Sequence, residues 1–343
     1  MSFKKLSKLV FCNFFYHAAE KGSTVPLAVD KKFQIYYKNQ IVFFSSLRRL
    51  YQNEKMILFL DRYLPNKYLA KLSELNVELI IVPKQEIKYV TNEIIPPWFP
   101  GCLFLLDVFS YLEKTNIDAS PFVFLDSDCI VLERFDKIIR KVKENNLIAT
   151  MKISEDNNFD LKNIIYYLSV LSYLHDKSTI GHTSHYGGGC YIFNKSILKL
   201  INNEASKVWQ TIEKSFIKEY SNIITEEYLL SVVFKQLENK IITVNSIMKY
   251  AENSYKKKDD QHCIYSVNRG IKKLKIVHLV RDKKYGLMWL YRYLQFFETP
   301  KKNKNFKNLL AIFINFFSFI RKIKKLFYLF VLFIVIFLIF FYK

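Results

Sequence analysis

Four short apolar runs divide the first 128 residues: STVPLAVD (23–30), KMILFLD (55–61), VELIIV (77–82) and PFVFLDSD (121–128). The stretches between them carry helical spacing: FQIYYKNQIVFFSSLRRLY (33–51), NKYLAKLSEL (66–75), and 101–114, entered through Pro96, Pro97 and Pro100. A further helix is expected over 135–146, with Asp136 as its N-cap. Strands alternating with helices require a mainly parallel sheet with helices on its faces. In such sheets ligands bind beyond the carboxyl ends of the strands. Two acids, Asp126 and Asp128, stand at that place behind the fourth run, and Asp30 ends the first.

The second half is less regular. NLIATMKI (146–153) and KIITVN (240–245) read as strands, and 160–175 and TEEYLLSVVFKQL (225–237) as helices. GHTSHYGGGCYIFNKS (181–196) reads as a glycine-rich loop running into a strand, and KLKIVHLVRDKKYG (273–286) as a strand opening into a basic loop. The domain boundaries expected are an N-terminal helical extension over 1–22, one α/β domain over 23–298, a basic linker over 299–308, and a membrane-associated tail over 309–343. The first residues do not make a secretory leader, because Asn13 and His17 interrupt the apolar stretch.

The tail follows from its composition. Residues 326–342, LFYLFVLFIVIFLIFFY, contain no charge, glycine or proline. As a helix they rise about 25 Å, close to the ~30 Å of a bilayer's hydrocarbon core. RKIKK (321–325) precedes them and LLAIFINFFSFI (309–320) lies further upstream. By the positive-inside tendency the basic cluster, and the domain before it, are expected on the cytoplasmic face. Lys and Arg number 52 against 31 Asp and Glu, a formal charge of +21, which points to an anionic partner (nucleic acid, an acidic membrane face or a phosphorylated substrate) or to a general lysine-rich bias of composition. Cys12, Cys102, Cys129, Cys190 and Cys263 are scattered singly, so neither a disulfide framework nor a zinc cluster is indicated.

An apolar strand ending in Asp-x-Asp can bring both carboxylates to one hard cation where the chain turns. Gly187, Gly188 and Gly189 allow a close backbone approach to a ligand, or simply a tight turn. Glu226 and Glu227 open a helix behind Thr225, where acids also suit the helix dipole without any further role. Phe33 and Tyr36 could stack on a base or fill the core.

FLDSD, YGGGCYIFNKS, TEEYLLSVVF and IVHLVRDKK together resemble, in order along residues 23–290, the motifs of the retaining GT-A glycosyltransferase family that includes glycogenin and lipopolysaccharide galactosyl- and glucosyltransferases. The resemblance implies a mixed, mostly parallel α/β sheet and a nucleotide-sugar donor, with UDP as the nucleotide. The tail and the charge then place the site near anionic lipid, so a glycan or lipid-linked acceptor at an anionic membrane surface is expected, and no nucleic acid. By resemblance Asp126, Asp128 and His278 become ligands of Mn²⁺ or Mg²⁺. Asp126, Asp30, Arg281, Lys283 and Lys284 contact the donor and its diphosphate. His185 and Gly187–Gly189 line the sugar and acceptor pocket, and Glu226 and Glu227 are the catalytic acids. The Gly, Pro and Trp of the family's C-terminal motif are not in register here, and the sequence leaves open whether a glutamate acts as the base of an inverting reaction or stabilises positive charge in a retaining one. Two other classes compete. A haloacid-dehalogenase-type phosphatase also uses a strand-end Asp-x-Asp, but normally opens its fold with it and places Thr or Val where Ile130 stands. A non-catalytic basic membrane scaffold accounts for the charge and the tail, and leaves the Asp pair, the glycines and His278 unexplained.

Overall fold

The computed structural model describes residues 9–17, 29–91, 100–117, 120–153, 184–214, 225–250, 274–279 and 286–294. The chain opens with strand β1 (Val10–Phe15), followed by helix α1 (Val29–Arg48), β2 (Lys55–Leu60), α2 (Asn66–Glu74) and β3 (Glu78–Ile81). Then come α3 (Pro100–Lys114), β4 (Phe122–Leu125), β5 (Cys129–Val131), α4 (Asp136–Asn145), β6 (Ile148–Ile153) and β7 (His185–Phe193). Helices α5 (Lys195–Lys214) and α6 (Glu226–Gln236), strands β8 (Ile241–Thr243), β9 (Met248–Tyr250) and β10 (Ile276–His278), and helix α7 (Gly286–Leu294) complete it.

A seven-stranded sheet runs in the order β3-β2-β1-β4-β7-β6-β8. Only the pairings of β7 with β4 and β6 are antiparallel, so one reversed strand sits inside an otherwise parallel sheet. A second sheet, β5-β10-β9, holds β10 antiparallel to β5. Helices α3, α5 and α6 cover one face of the large sheet, where Phe109 packs edge-on against Phe124 and Phe193 at 5.0 and 5.1 Å. The other face is covered by α1, α2, α4 and the small sheet, where Phe11 meets Tyr51 at 4.5 Å.

The N-terminal segment departs from expectation. Val10–Phe15 is not part of a helical extension but a central strand, paired in parallel with β2 and β4. A strand buried on both faces is an unbroken apolar run, which periodicity cannot separate from a short buried helix. The first run expected as a strand also differs: Val29 and Asp30 already belong to α1, and 23–28 lie outside the described residues. Asp136 is the first residue of α4 and Phe135 occupies the cap. The helix expected over 160–175, the linker 299–308 and the tail 309–343 also lie outside the described residues. Among the described residues, no helix is long and apolar enough to cross a membrane.

Candidate metal centre and its acid pair

The fourth apolar run ends where β4 does, and the chain turns at once. Its backbone is held from three sides. Asn13 Nδ2 of β1 donates to the Leu125 carbonyl at 2.6 Å, Asp126 N–H donates to Gly189 O at 3.2 Å, and Cys129 N–H closes the turn on Asp126 O at 2.9 Å. Gln40 of α1 steadies Asn13 through Nε2 to Oδ1 at 3.1 Å. The small sheet then brings in a residue from far along the chain: Leu279 N–H donates to Asp128 O at 2.9 Å, and β10 delivers His278.

His278 Nε2 lies 2.9 Å from Asp128 Oδ1 and 3.4 Å from Asp126 Oδ2. One ligand atom from each of Asp126, Asp128 and His278 can be chosen so that all lie within 4.8 Å of one another. Asp128 and His278 are 1% and 4% exposed, while Asp126 is partly open to solvent. Burial opposes a charge on His278, but Asp128 and Asp126 outweigh it and draw its pKa up to about 9. Two carboxylates thus concentrate enough negative potential to hold a cation. A pair of hard oxygens with one imidazole nitrogen, left open on the Asp126 side, fits a divalent metal that keeps positions for a ligand's own oxygens.

The glycines explain how so much chemistry fits beside one strand. They are not in a loop. Gly187, Gly188 and Gly189 lie inside β7, fully covered, and none has a positive φ. Thr150 of β6 pairs with Tyr191 and Met151 with Gly187, so β6 skips Gly188–Cys190 and the strand bulges. The bulge frees Gly188 N–H to donate to Glu227 Oε1 at 2.6 Å, and turns Gly189 O toward Asp126. A side chain would not fit. A Cβ on Gly188 would stand 2.5 Å from Glu226 Oε1, and one on Gly189 would stand 2.5 Å from His278 Nδ1. Neighbouring strand residues face opposite sides, so Gly188 makes room for the glutamates and Gly189 for the histidine.

Glu226 and Glu227 open α6, docked on β7 by Tyr186 N–H donating to Ser231 Oγ at 3.0 Å. The two carboxyls are shifted in opposite directions. Burial, then the charges of Glu227 and Asp126, push the Glu226 carboxyl well above the ordinary range; Cys102 of α3 hydrogen-bonds it. Burial also opposes the Glu227 charge, but the hydrogen bond and charge of His185 and the Gly188 N–H outweigh it and hold its pKa below the usual value. His185 Nε2 is 3.5 Å from Glu227 Oε2. The site therefore offers one carboxyl pushed toward its neutral form, Glu226, whose Oε2 is buried without a hydrogen-bond partner among the described residues, and one held toward its charged form, Glu227.

The structure thus gathers Asp126, Asp128, His278, His185, Gly188, Gly189, Glu226 and Glu227 at one end of the sheet. Asp30 lies in the first turn of α1, and its side chain, like Arg281, Lys283 and Lys284, is outside the described residues. Phe33 and Tyr36 pack on Phe15 at 5.9 and 5.7 Å, as core residues do. Sequence reasoning missed Asn13, Gln40 and Cys102. A polar Asn in the middle of VFCNFF was the available signal, since a buried amide in a central strand must serve a specific partner. It also missed the buried pair at the ends of β1 and β2, where His17 Nδ1 and Asp61 Oδ1 are 2.5 Å apart.

No family model and no curated protein matches the sequence. Solved structures do resemble the fold. An active-site mutant of LgtC, and the galactosyltransferase LgtC in complex with donor and acceptor sugar analogues, each give a TM-score of 0.52 at 12% identity, spanning 87% of this chain and 99% of theirs. Mouse xyloside xylosyltransferase 1 in its apo form gives 0.49 at 12% identity, over 78% of this chain and 96% of its own. At such identities the likeness establishes architecture, and the architecture of this chain is the GT-A fold of nucleotide-sugar glycosyltransferases.

Proposed function

We propose that the chain is a metal-dependent glycosyltransferase that moves a sugar from a nucleotide-sugar, a UDP-sugar in the first instance, to a glycan or lipid-linked acceptor on the cytoplasmic face of a membrane. The observation that carries this reading is the convergence of Asp126, Asp128 and His278 at the carboxyl end of the sheet. Asp128 and His278 are separated by 150 positions, and a buried carboxylate brought with a second, partly open one to a single histidine is a site that a cation would stabilise.

A Mn²⁺ or Mg²⁺ ion bound there would neutralise charge on the diphosphate leaving group. The chain's own groups do the rest. Asp126, on the open side, meets the donor. Arg281, Lys283 and Lys284 follow His278 closely in sequence and supply cationic donors for the diphosphate. The sugar lies beside Glu226 and Glu227, which the side-chain-free Gly188 lets approach β7. Glu226, carrying its proton, donates a hydrogen bond to a sugar hydroxyl. Glu227, ionised and held by the Gly188 N–H, faces positive charge developing at the anomeric carbon. Resemblance to the retaining family favours retention of configuration.

The test is donor hydrolysis by the full-length protein in detergent, screened across nucleotide-sugars with Mn²⁺. Activity should vanish in EDTA and in Asp128→Asn, whose amide is a poor ligand for a hard cation, while the variant's circular dichroism stays native. Full activity in EDTA would refute the metal-dependent mechanism.

A further inference from the structure

One flank of the folded domain carries cations that nothing in the site requires. Helix α1 lies between α2 and α7. Lys31 and Lys38 of α1 are seven residues apart and so share a helical face. Lys38 Nζ lies over the Tyr291 ring of α7 at 5.5 Å, Tyr37 touches Tyr68 of α2 at 5.0 Å, and Lys67 Nζ lies over Tyr68 at 4.9 Å. Arg292, the neighbour of Tyr291, is exposed, as are Lys31 and Lys67.

Among the described residues none of Lys31, Lys38, Lys67 and Arg292 is paired with a carboxylate, although Lys55, Lys207 and Lys235 elsewhere are, and Lys71, one turn beyond Lys67 on α2, is paired with Glu74. The cations sense one another. Partial burial first, then the charges of Lys67 and Arg292, push the Lys38 pKa down. Like charges gathered without counter-ions over tyrosine rings are tolerated where an external anion relieves them. Arg292 also stands at the root of the C-terminal segment. The chain passes from α7 to the basic stretch TPKKNKNFKN (299–308) and on to the uncharged run 326–342.

We propose that this flank of α1, α2 and α7 is a docking surface for an anionic lipid bilayer, holding the folded domain against the same membrane that receives the C-terminal apolar run. The inference rests on the membrane part of the function proposed above and on no catalytic residue. Phosphate headgroups would meet Lys31, Lys38, Lys67 and Arg292.

The experiment is flotation of the full-length protein with phosphatidylcholine vesicles, with and without phosphatidylglycerol. Wild type should prefer the anionic vesicles. The triple variant Lys38→Gln, Lys67→Gln, Arg292→Gln should lose roughly fivefold of that preference per charge removed, from about 1 kcal/mol per basic residue at an anionic surface. A charge-keeping triple, Lys38→Arg, Lys67→Arg, Arg292→Lys, should retain it. An undiminished preference in the glutamine triple would overturn the proposal, as would failure of wild type to bind either vesicle. Stronger competition by a short RNA than by anionic vesicles would overturn it in favour of a polyanion site. Donor hydrolysis in detergent is measured on the same samples. Its absence from wild type would sink the enzymatic reading without touching the vesicle result.

Discussion

At the scale of the residue, two adjacent glycines divide the work of the site, and they can be separated by experiment. Gly189→Ala drives a methyl into the His278 ring, so the concentration of Mn²⁺ needed for half-maximal donor hydrolysis should rise by on the order of tenfold or more, with turnover at saturating metal less affected. Gly188→Ala strikes Glu226 instead, and should lower turnover while leaving the metal requirement nearly unchanged. Metal titrations of the two variants check both outcomes. The glutamates should separate in the same way. Burial pushes the Glu226 carboxyl toward its neutral form, so Glu226→Gln should change the site's charge little and act mainly on the donor KM. Glu227 is held toward its charged form, and in the role proposed for it Glu227→Gln should lower kcat by on the order of 10² or more. Both acids, both aspartates and His278 were legible in the sequence, because each sits at the end of a recognisable element. The glycines were legible as a feature and misplaced as a loop. A Gly triplet usually marks a turn; here the requirement is space above a buried strand, which only the three-dimensional neighbours reveal.

At the scale of the element, α3 holds an unusual anchor. Asp107, fully buried, accepts N–H bonds from Lys88 and Tyr89 at 2.6 and 2.9 Å and from Val90 at 3.3 Å, pinning the segment that follows β3. Burial raises its pKa to about 7 despite those bonds. The folded state therefore holds the Asp107 proton more tightly than the unfolded chain, whose carboxyl titrates near 4. That contribution is complete below pH ~4 and is lost as pH rises through about 7, at on the order of 1.4 kcal/mol per unit across the window. Denaturant midpoints followed from pH 5 to 8 should fall more steeply for wild type than for Asp107→Asn, which cannot ionise. Helices α1 to α4 and strands β2 and β3 were legible to within a few residues, since their apolar spacing is strong. The three-residue strands β5, β9 and β10 were not anticipated at those bounds: three residues are too few to show a period, and the sheet forms only when β10 reaches β5, more than a hundred positions away.

At the scale of the whole molecule, the order of strands could not be read from the chain. A run such as HYGGGCYIF does not disclose that it enters the sheet reversed between β4 and β6. What the sequence does disclose at this scale is the uncharged run 326–342. Salt screens the attraction of basic residues to an anionic surface but not the burial of an apolar segment. High salt or carbonate should therefore leave the full-length protein with the membrane fraction, and detergent should release it. Release by carbonate would show that the run does not insert.

The hydrogen bond between His278 and Asp128 spans 150 positions, and the one between Asn13 and Leu125 spans 112. Closing loops of that size comes late, because chain entropy is lost before the contact returns anything. During synthesis β1 and the aspartates leave the ribosome well before their histidine does. The half-built centre then holds two carboxylates with no imidazole between them. Only after β10 docks can a metal ion add its binding free energy to the stability of the whole. In refolding, recovery of helix signal should precede recovery of Mn²⁺ binding, and added Mn²⁺ should slow unfolding far more than it speeds folding.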